Sequence, residues 1–303
     1  MRTSSSLFFA GLLALLAGPA AAALNVLATV PEWAALAQEI GGDKVRVQAA
    51  THALQDPHRI EAKPSLIARA RGADLVVATG AGLEVGWLPL VLRESGNARV
   101  QPGQPGHFEA ARFVTMLDVP GRVDRADGDV HAEGNPHLQA DPRNILKVGE
   151  ALAARMAQVD AANAAAYRAG FQAFARRWQA NLARWEKAAA PLRGQPVVVQ
   201  HKSLSYLVNW LGLREVAALE PKPGVEASAG HLGKLLQQVK APVNAPRLVL
   251  RAAYESPRAA EWFAREAAVP LVVVPFTVGG SDAARDLTTL FDDTLSRLLQ
   301  GIQ

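Results

Sequence analysis

Residues 24–42 have the sequence LNVLATVPEWAALAQEIGG, in which an apolar run is followed directly by an amphipathic stretch. The run from Leu24 to Val30 predicts a β-strand, because short apolar runs bounded by turn or helix signals are typical of buried strands. Pro31 then opens a predicted helix that ends near Gly42, since proline favours the first helical turn and glycine the position just past the last one. This strand–helix unit sets the pattern for the rest of the chain.

The same alternation recurs along the chain, with one interruption in the middle. Further strands are predicted over residues 45–49, 73–78, 196–200, 214–219, 247–251 and 270–274. Strands that alternate with helices predict parallel sheets with the helices on their faces. Between the two series, residues 144–159 and 161–188 are predicted to be helical, and aromatic residues recur every three or four positions from Tyr167 to Trp185. That spacing predicts core packing and not a cofactor site.

We therefore expect an α/β fold of two lobes, each a parallel sheet flanked by helices, joined by a long rigid helical linker. The predicted division is a signal peptide over residues 1–23, an N-terminal lobe over 24–144, the linker over 145–190 and a C-terminal lobe over 191–303. The linker helix is long enough to bridge both lobes, because an α-helix rises about 1.5 Å per residue.

The composition excludes several classes of protein and of site. Half of the 303 residues are hydrophobic, which excludes a disordered chain. Lys and Arg number 32 against 28 Asp and Glu, a formal charge of +4, and no run of basic residues occurs, so we expect no nucleic-acid partner. The chain has no cysteine, which excludes disulfides, thiolate-bound zinc, iron–sulfur clusters and a cysteine nucleophile. Any transition-metal site must therefore use His, Asp or Glu.

The first 23 residues have the features of a secretory signal peptide. Arg2 supplies a positive charge, residues 7–17 are the apolar segment LFFAGLLALLA, and residues 20–23 are alanines that suit cleavage. The apolar run is shorter than the ~20 residues that a membrane-spanning helix needs. A bacterial lipoprotein needs a cysteine at its processing site, and this sequence has none, so we expect no covalent membrane anchor. We expect the exported protein to be a periplasmic monomer.

Three of the seven histidines lie in contexts that favour metal binding. His58 and His137 each follow a proline in a polar loop, and proline lowers the entropy cost of ordering such a loop. His201 follows the apolar segment PVVVQ, and open α/β sheets place ligands at the carboxyl ends of parallel strands. The three are too far apart for a local motif, so only the fold could bring them together. Neutral imidazoles suit Zn²⁺, with no thiolate present to compete.

The segments around these histidines also resemble the motifs of a known family. Residues 56–65, DPHRIEAKPS, resemble the pattern D-P-H-x-[YF]-E-x-x-P-S, with Ile60 as the departure. Residues 135–144, NPHLQADPRN, are similar to D-P-H-x-W-x-D-P-x-N, with departures at Asn135 and Gln139. Residues 201–207, HKSLSYL, resemble a third motif, a His after a strand followed by a helix start. The family is that of the zinc/manganese-type (cluster A-I) substrate-binding proteins of bacterial metal ABC transporters.

The resemblance implies both a function and a set of ligands. It implies a metal-binding protein, not an enzyme, that captures Zn²⁺ between two lobes and delivers it to an ABC transporter permease at the inner membrane. His58, His137 and His201 would be the metal ligands. Three imidazoles favour Zn²⁺ over Mn²⁺, which prefers more oxygen ligands.

The chain departs from the family pattern where a late aspartate is usual. The corresponding residues 274–280, VPFTVGG, contain no carboxylate. We expect Asp282 to be the fourth ligand, because the preceding glycine pair could fold its segment toward the cleft. Water, His131 or Glu255 are the alternatives for this position. The segment 124–135 holds His131 as its single histidine, which argues against bulk metal buffering by this loop.

Two other functions fit a three-histidine site. A zinc hydrolase uses three protein ligands and a water at the open position, but it also needs a general base within reach of that water. Glu61 or Asp282 could be invoked as that base, but neither lies in a hydrolase motif. A periplasmic metallochaperone that hands its metal to another protein is the second alternative, and the sequence does not separate it from a transport protein.

Overall fold

The computed structural model describes residues 22–121, 131–241 and 244–303. The predicted signal peptide falls outside these residues except for its last two positions, and so does most of the loop over residues 124–135. Among the described helices, none combines the length and the apolar character that crossing a membrane requires.

The first lobe contains a sheet of four parallel strands in the order β2-β1-β3-β4. The strands are β1 (Leu24–Ala28), β2 (Val45–Ala49), β3 (Leu75–Ala78) and β4 (His107–Glu109), and the helices are α1 (Pro31–Gly41), α2 (Pro64–Gly72) and α3 (Leu88–Ser95). Every residue of the central strand β3, LVVA, is buried, because helices cover both faces of the sheet.

The second lobe repeats this strand order as β6-β5-β7-β8, again all parallel. Its strands are β5 (Pro196–Val199), β6 (Arg214–Ala218), β7 (Leu248–Ala252) and β8 (Leu271–Val274), and its helices are α6 (Ser205–Leu211), α7 (Ala229–Gln238), α8 (Pro257–Ala267) and α9 (Leu287–Gly301). The predicted two-lobe α/β fold is therefore confirmed.

Helices α4 (Pro142–Val159) and α5 (Ala164–Ala188) join the lobes. The indole N–H of Trp178 on α5 donates to the carbonyl of Pro142 at 2.8 Å, which ties the two helices together. Farther along α5, the Trp185 indole donates to Asp292 of α9 at 2.6 Å. The aromatic stripe of α5 is thus core packing that reaches both lobes, as its spacing predicted. The residue bounds of the lobes and of the linker stay predictions.

Candidate metal centre

Four histidines come together between the two lobes. His58 lies in the loop from β2 to α2, His131 and His137 in the segment that leads into α4, and His201 directly after β5. The ring centroid of His58 is 5.0 Å from that of His137, 5.4 Å from that of His131 and 6.2 Å from that of His201. The His137 and His201 rings are 5.7 Å apart. The fold therefore unites the three histidines predicted from their context and adds His131 to them.

A carboxylate fixes the orientation of His58. Asp56 accepts hydrogen bonds from the backbone N–H of His58 at 3.0 Å and from its ring Nδ1 at 2.8 Å. Because the carboxylate can only accept, Nδ1 carries the proton and Nε2 is left with its lone pair. The loop itself is held by the buried Trp87, whose indole N–H donates to the carbonyl of Pro57 at 2.9 Å. The ring of His58 is thus held in a fixed orientation on a fixed backbone.

His137 is the most buried of the four, with 2% of its surface exposed. Asn135 accepts the backbone N–H of His137 at 3.0 Å and donates to the carbonyl of Lys202 at 2.8 Å, which links the loop to the second lobe. Burial, and then the repulsion of any charge on His58, His201 and His131, lowers the pKa of His137 well below its ordinary value. The ring is therefore neutral at physiological pH, and its Nδ1 is one of the buried nitrogens that lack a hydrogen-bond partner among the described residues.

Glu220 orients His201 as Asp56 orients His58. Its Oε2 lies 2.6 Å from Nδ1 of His201 and also accepts the backbone N–H of Gly224 at 2.8 Å. Burial is the largest single effect on the pKa of His201 and lowers it, but the hydrogen bond and charge of Glu220, with Glu255 and Asp56, outweigh burial and raise the pKa overall. The sequence analysis did not identify Glu220. The sequence feature that could have identified Glu220 is its position just after strand β6, because β6 ends at the same edge of the sheet as the strand that precedes His201.

The structure does not bring Asp282 to the histidines. Asp282 is exposed, and it lines neither of the two cavities that border the four rings. The glycine pair before it forms a tight turn, in which Gly279 donates to the carbonyl of Ala284 at 2.6 Å and Gly280 to that of Thr277 at 2.9 Å. The glycines therefore fold the segment back on itself instead of extending it toward the cleft.

Glu255 and Phe276 also border the site, but neither takes the place of Asp282 as a metal ligand. Glu255 lines a cavity with His58 and His201, but its oxygens accept the Ser203 hydroxyl at 2.6 Å and the Ala252 backbone N–H at 3.0 Å. Phe276 lies with its ring 5.7 Å from that of His137 and has a φ of 68°, a left-handed conformation that is uncommon outside glycine.

The spacing of the four rings suits a small metal ion after limited movement. In the part of the chain that the structure describes, no three His, Asp or Glu side chains already have their donor atoms in position to hold an ion. The Nε2 atoms of His58 and His131, however, are 3.4 Å apart. Two ligands of a tetrahedral zinc ion are about 3.3 Å apart when each Zn–N bond is about 2.0 Å.

Comparison with known proteins identifies the family. The family model described as "Zinc-uptake complex component A periplasmic" matches residues 26–301. The zinc-binding lipoprotein AdcA of Streptococcus pneumoniae serotype 4 is 25% identical over 228 residues, which are 72% of this chain and 43% of AdcA. The iron-binding protein YfeA of Yersinia pestis is 27% identical over 222 residues, 69% of this chain and 64% of YfeA. The chain spans less than half the length of the zinc-binding relative that it matches.

Solved structures share the fold. A crystal structure of ZnuA has a TM-score of 0.76 at 22% identity and covers 93% of this chain and 100% of its own. The substrate-binding protein FpvC of Pseudomonas aeruginosa, solved with Mn²⁺, has a TM-score of 0.75 at 24% identity and covers 92% and 98% of the two chains. The matching family is described as a component of a zinc-uptake complex, and the two relatives named above are described as metal-binding proteins, so the hydrolase hypothesis gains no support. The chain belongs to the zinc-uptake complex component A family, the substrate-binding proteins of zinc/manganese-type metal ABC transporters.

Proposed function

We propose that this protein captures Zn²⁺ between its lobes in the periplasm, as a monomer, and delivers it to the permease of an ABC transporter. The observation that carries the proposal is the convergence of four imidazoles, two of which are oriented by the carboxylates of Asp56 and Glu220. A histidine that donates one ring N–H to a carboxylate keeps its other nitrogen free to bind a metal, and the carboxylate strengthens it as a ligand.

The proposed ligands are His58, His137, His201 and, in the fourth position, His131. The fourth assignment differs from the sequence-based expectation of Asp282. It rests on the 3.4 Å between the Nε2 atoms of His58 and His131 and on the exposure of Asp282. A shell of four neutral imidazoles favours Zn²⁺, because Mn²⁺ binds better where oxygen ligands are available.

The test of the ligand set is the Zn²⁺ dissociation constant, measured by competition with a chromophoric chelator. The metal-free wild type is compared with His58→Ala, His137→Ala and His201→Ala. We expect each change to weaken binding by about 100-fold or more, because the remaining ligands cannot close a tetrahedral shell. His52→Ala is the matched control, since His52 is an exposed imidazole in the same loop as His58 and should bind like the wild type. Wild-type affinity in His137→Ala would refute the site.

A second comparison decides the fourth position. We expect His131→Ala to weaken Zn²⁺ binding by about tenfold or more, because a metal ligand is lost. Asp282→Asn should leave the affinity within about twofold of the wild type, since an exposed carboxylate outside the shell contributes little. If Asp282→Asn weakens binding by about tenfold or more and His131→Ala leaves it within about twofold of the wild type, Asp282 returns to the ligand set.

A further inference from the structure

We propose that a carboxylate-lined cavity beside His58 and His201 is the route by which the hydrated divalent cation reaches the four histidines. The cavity has a volume of about 300 Å³, and both of these histidines form part of its wall. The inference rests on the proposed function, because it takes the four rings as the destination of the ion.

The wall of this cavity is predominantly acidic. The carboxylates that line it are Asp56, Glu220, Glu226 and Glu255, and the guanidinium that lines it is that of Arg59. Arg59 lies toward Asp56, with 4.0 Å between its Nε and Oδ2 of Asp56. Burial raises the pKa of Glu255 to about 7, so most of the negative charge comes from the other three carboxylates. Three carboxylates against one guanidinium still give the cavity an excess of negative charge. A cleft of one charge sign between low-dielectric walls concentrates ions of the opposite sign.

A buried amide supplies a second, independent indication of a polar cationic ligand. Gln200 lines the same cavity at the end of β5, and 6% of its surface is exposed. Its Oε1 has no hydrogen-bond partner among the described residues. A buried acceptor without a partner costs roughly 1–3 kcal/mol, so such groups usually meet water or a ligand. This oxygen has less than 1 Å² of exposed surface, so a donor in the cavity would reach it only after movement of the Gln200 side chain.

The cavity on the other side of the histidines is less suited to a cation. It has a volume of about 210 Å³ and is lined by His131, His137 and His201 together with Lys202, Pro223 and Asp118. Its carboxylate, Asp118, accepts a hydrogen bond from Asn135 at 3.1 Å, and Lys202 adds a positive charge to the wall. An ion that approached from this side would therefore lack the excess of negative charge found on the other.

The route is tested through the kinetics of Zn²⁺ binding, measured by stopped flow with a fluorescent zinc indicator. Glu226→Lys is the informative variant, because Glu226 is exposed and belongs to none of the four ligand residues. We expect its association rate constant to fall by about tenfold at low ionic strength, the lower end of the usual range for electrostatic steering. The difference should shrink in 0.5 M salt, where the screening length falls to roughly 4 Å.

The control for charge is Glu261→Lys, which makes the same change at an exposed position that lines neither cavity. It should lower the association rate much less than Glu226→Lys does, because its charge lies outside the wall of the cavity, where the field is not focused. An association rate in Glu226→Lys equal to that of the wild type at low salt would overturn the inference. Failure of the proposed function is distinguishable, since wild-type protein would then show no tight Zn²⁺ binding at equilibrium.

A steric pair tests the direction of entry independently of charge. Ser256→Trp places a bulky ring on an exposed wall of the acidic cavity, and Pro223→Trp places one at a half-buried position in the wall of the other cavity. Obstruction of the route slows entry and exit together. We therefore expect both rate constants to fall in Ser256→Trp with little change in the dissociation constant, and neither to fall in Pro223→Trp. The reverse pattern would assign the route to the other cavity. Circular dichroism and the melting temperature establish that each variant is folded.

Discussion

Glu32 provides a test of the electrostatics between the lobes. It is the second residue of α1, 1% of its surface is exposed, and neither carboxylate oxygen has a hydrogen-bond partner among the described residues. Burial raises the pKa of Glu32 from 4.5 to about 7, and the nearby Thr277 hydroxyl, which does not reach hydrogen-bond geometry, opposes this only in part. Glu32 is therefore expected to be protonated in the folded protein under mildly acidic conditions.

The pH dependence of stability due to Glu32 follows from the linkage between proton binding and folding. Because the folded state holds the Glu32 proton more tightly than the unfolded state, the associated stability is fully present below pH 4.5 and is lost as the pH rises to about 7. At about 1.4 kcal/mol for each pH unit, this amounts to roughly 3 kcal/mol between the two limits. Glu32→Gln has no proton to lose. Its free energy of unfolding, relative to the wild type, should increase by roughly 3 kcal/mol between pH 4.5 and pH 8.

The assay is urea unfolding of the metal-free wild type and Glu32→Gln at pH 4.5, 6 and 8. The histidines titrate equally in both proteins, so their contribution cancels in the difference. Glu150→Gln is the control, because Glu150 is an exposed carboxylate on α4 and its difference from the wild type should not vary with pH. If the free energy of unfolding of Glu32→Gln relative to the wild type changes by less than about 1 kcal/mol between pH 4.5 and pH 8, the idea that Glu32 is an unpartnered, buried carboxyl is refuted.

Three further predictions concern the site and the linker. Glu220→Gln should weaken Zn²⁺ binding by about 10–100-fold in the chelator assay, because His201 loses the carboxylate that orients it; an unchanged affinity would contradict that role. Acidification should release bound Zn²⁺, since protonated imidazole cannot ligate, and equilibrium dialysis at pH 5 checks this. Gly170→Ala should lower the free energy of unfolding by about 1–3 kcal/mol, because the added Cβ would lie 2.1 Å from the carbonyl oxygen of Ile40. Gly230→Ala, whose added Cβ meets nothing within 4 Å, should not lower it.

The periodicity of the chain predicted the fold but not all of its elements. Short apolar runs such as LVVA and PVVV are typical of buried strands, so their strands and the parallel sheets followed from the sequence. Strand β4 was missed because it has three residues and follows a segment rich in glycine and proline. The start of the last helix, Leu287, depends on a side-chain contact, because Asp286 caps the helix by accepting the Thr289 N–H at 2.7 Å.

The site was predictable only where its residues carry a local pattern. His58, His137 and His201 stand in such patterns, and the structure brings them together. Glu220 meets His201 through the pairing of β5 with β6, a tertiary contact that no local motif encodes. The expectation for Asp282 assumed that the glycine pair folds its segment toward the cleft. In the structure, a Cβ on Gly280 would lie 2.0 Å from the carbonyl of Pro275, so glycine is required there by a close backbone approach.

The arrangement of charges around the histidines bears on how an ion could be both held and released. The proposed ligands are imidazoles, and the compensating negative charges belong to Asp56 and Glu220, which contact the rings and not the ion. The same two carboxylates line the acidic cavity. An ion that moves from this cavity to the rings therefore exchanges water for nitrogen while the same carboxylates stay near it. A carboxylate ligand at the fourth position would add an ionic bond to be broken at release, and His131 does not.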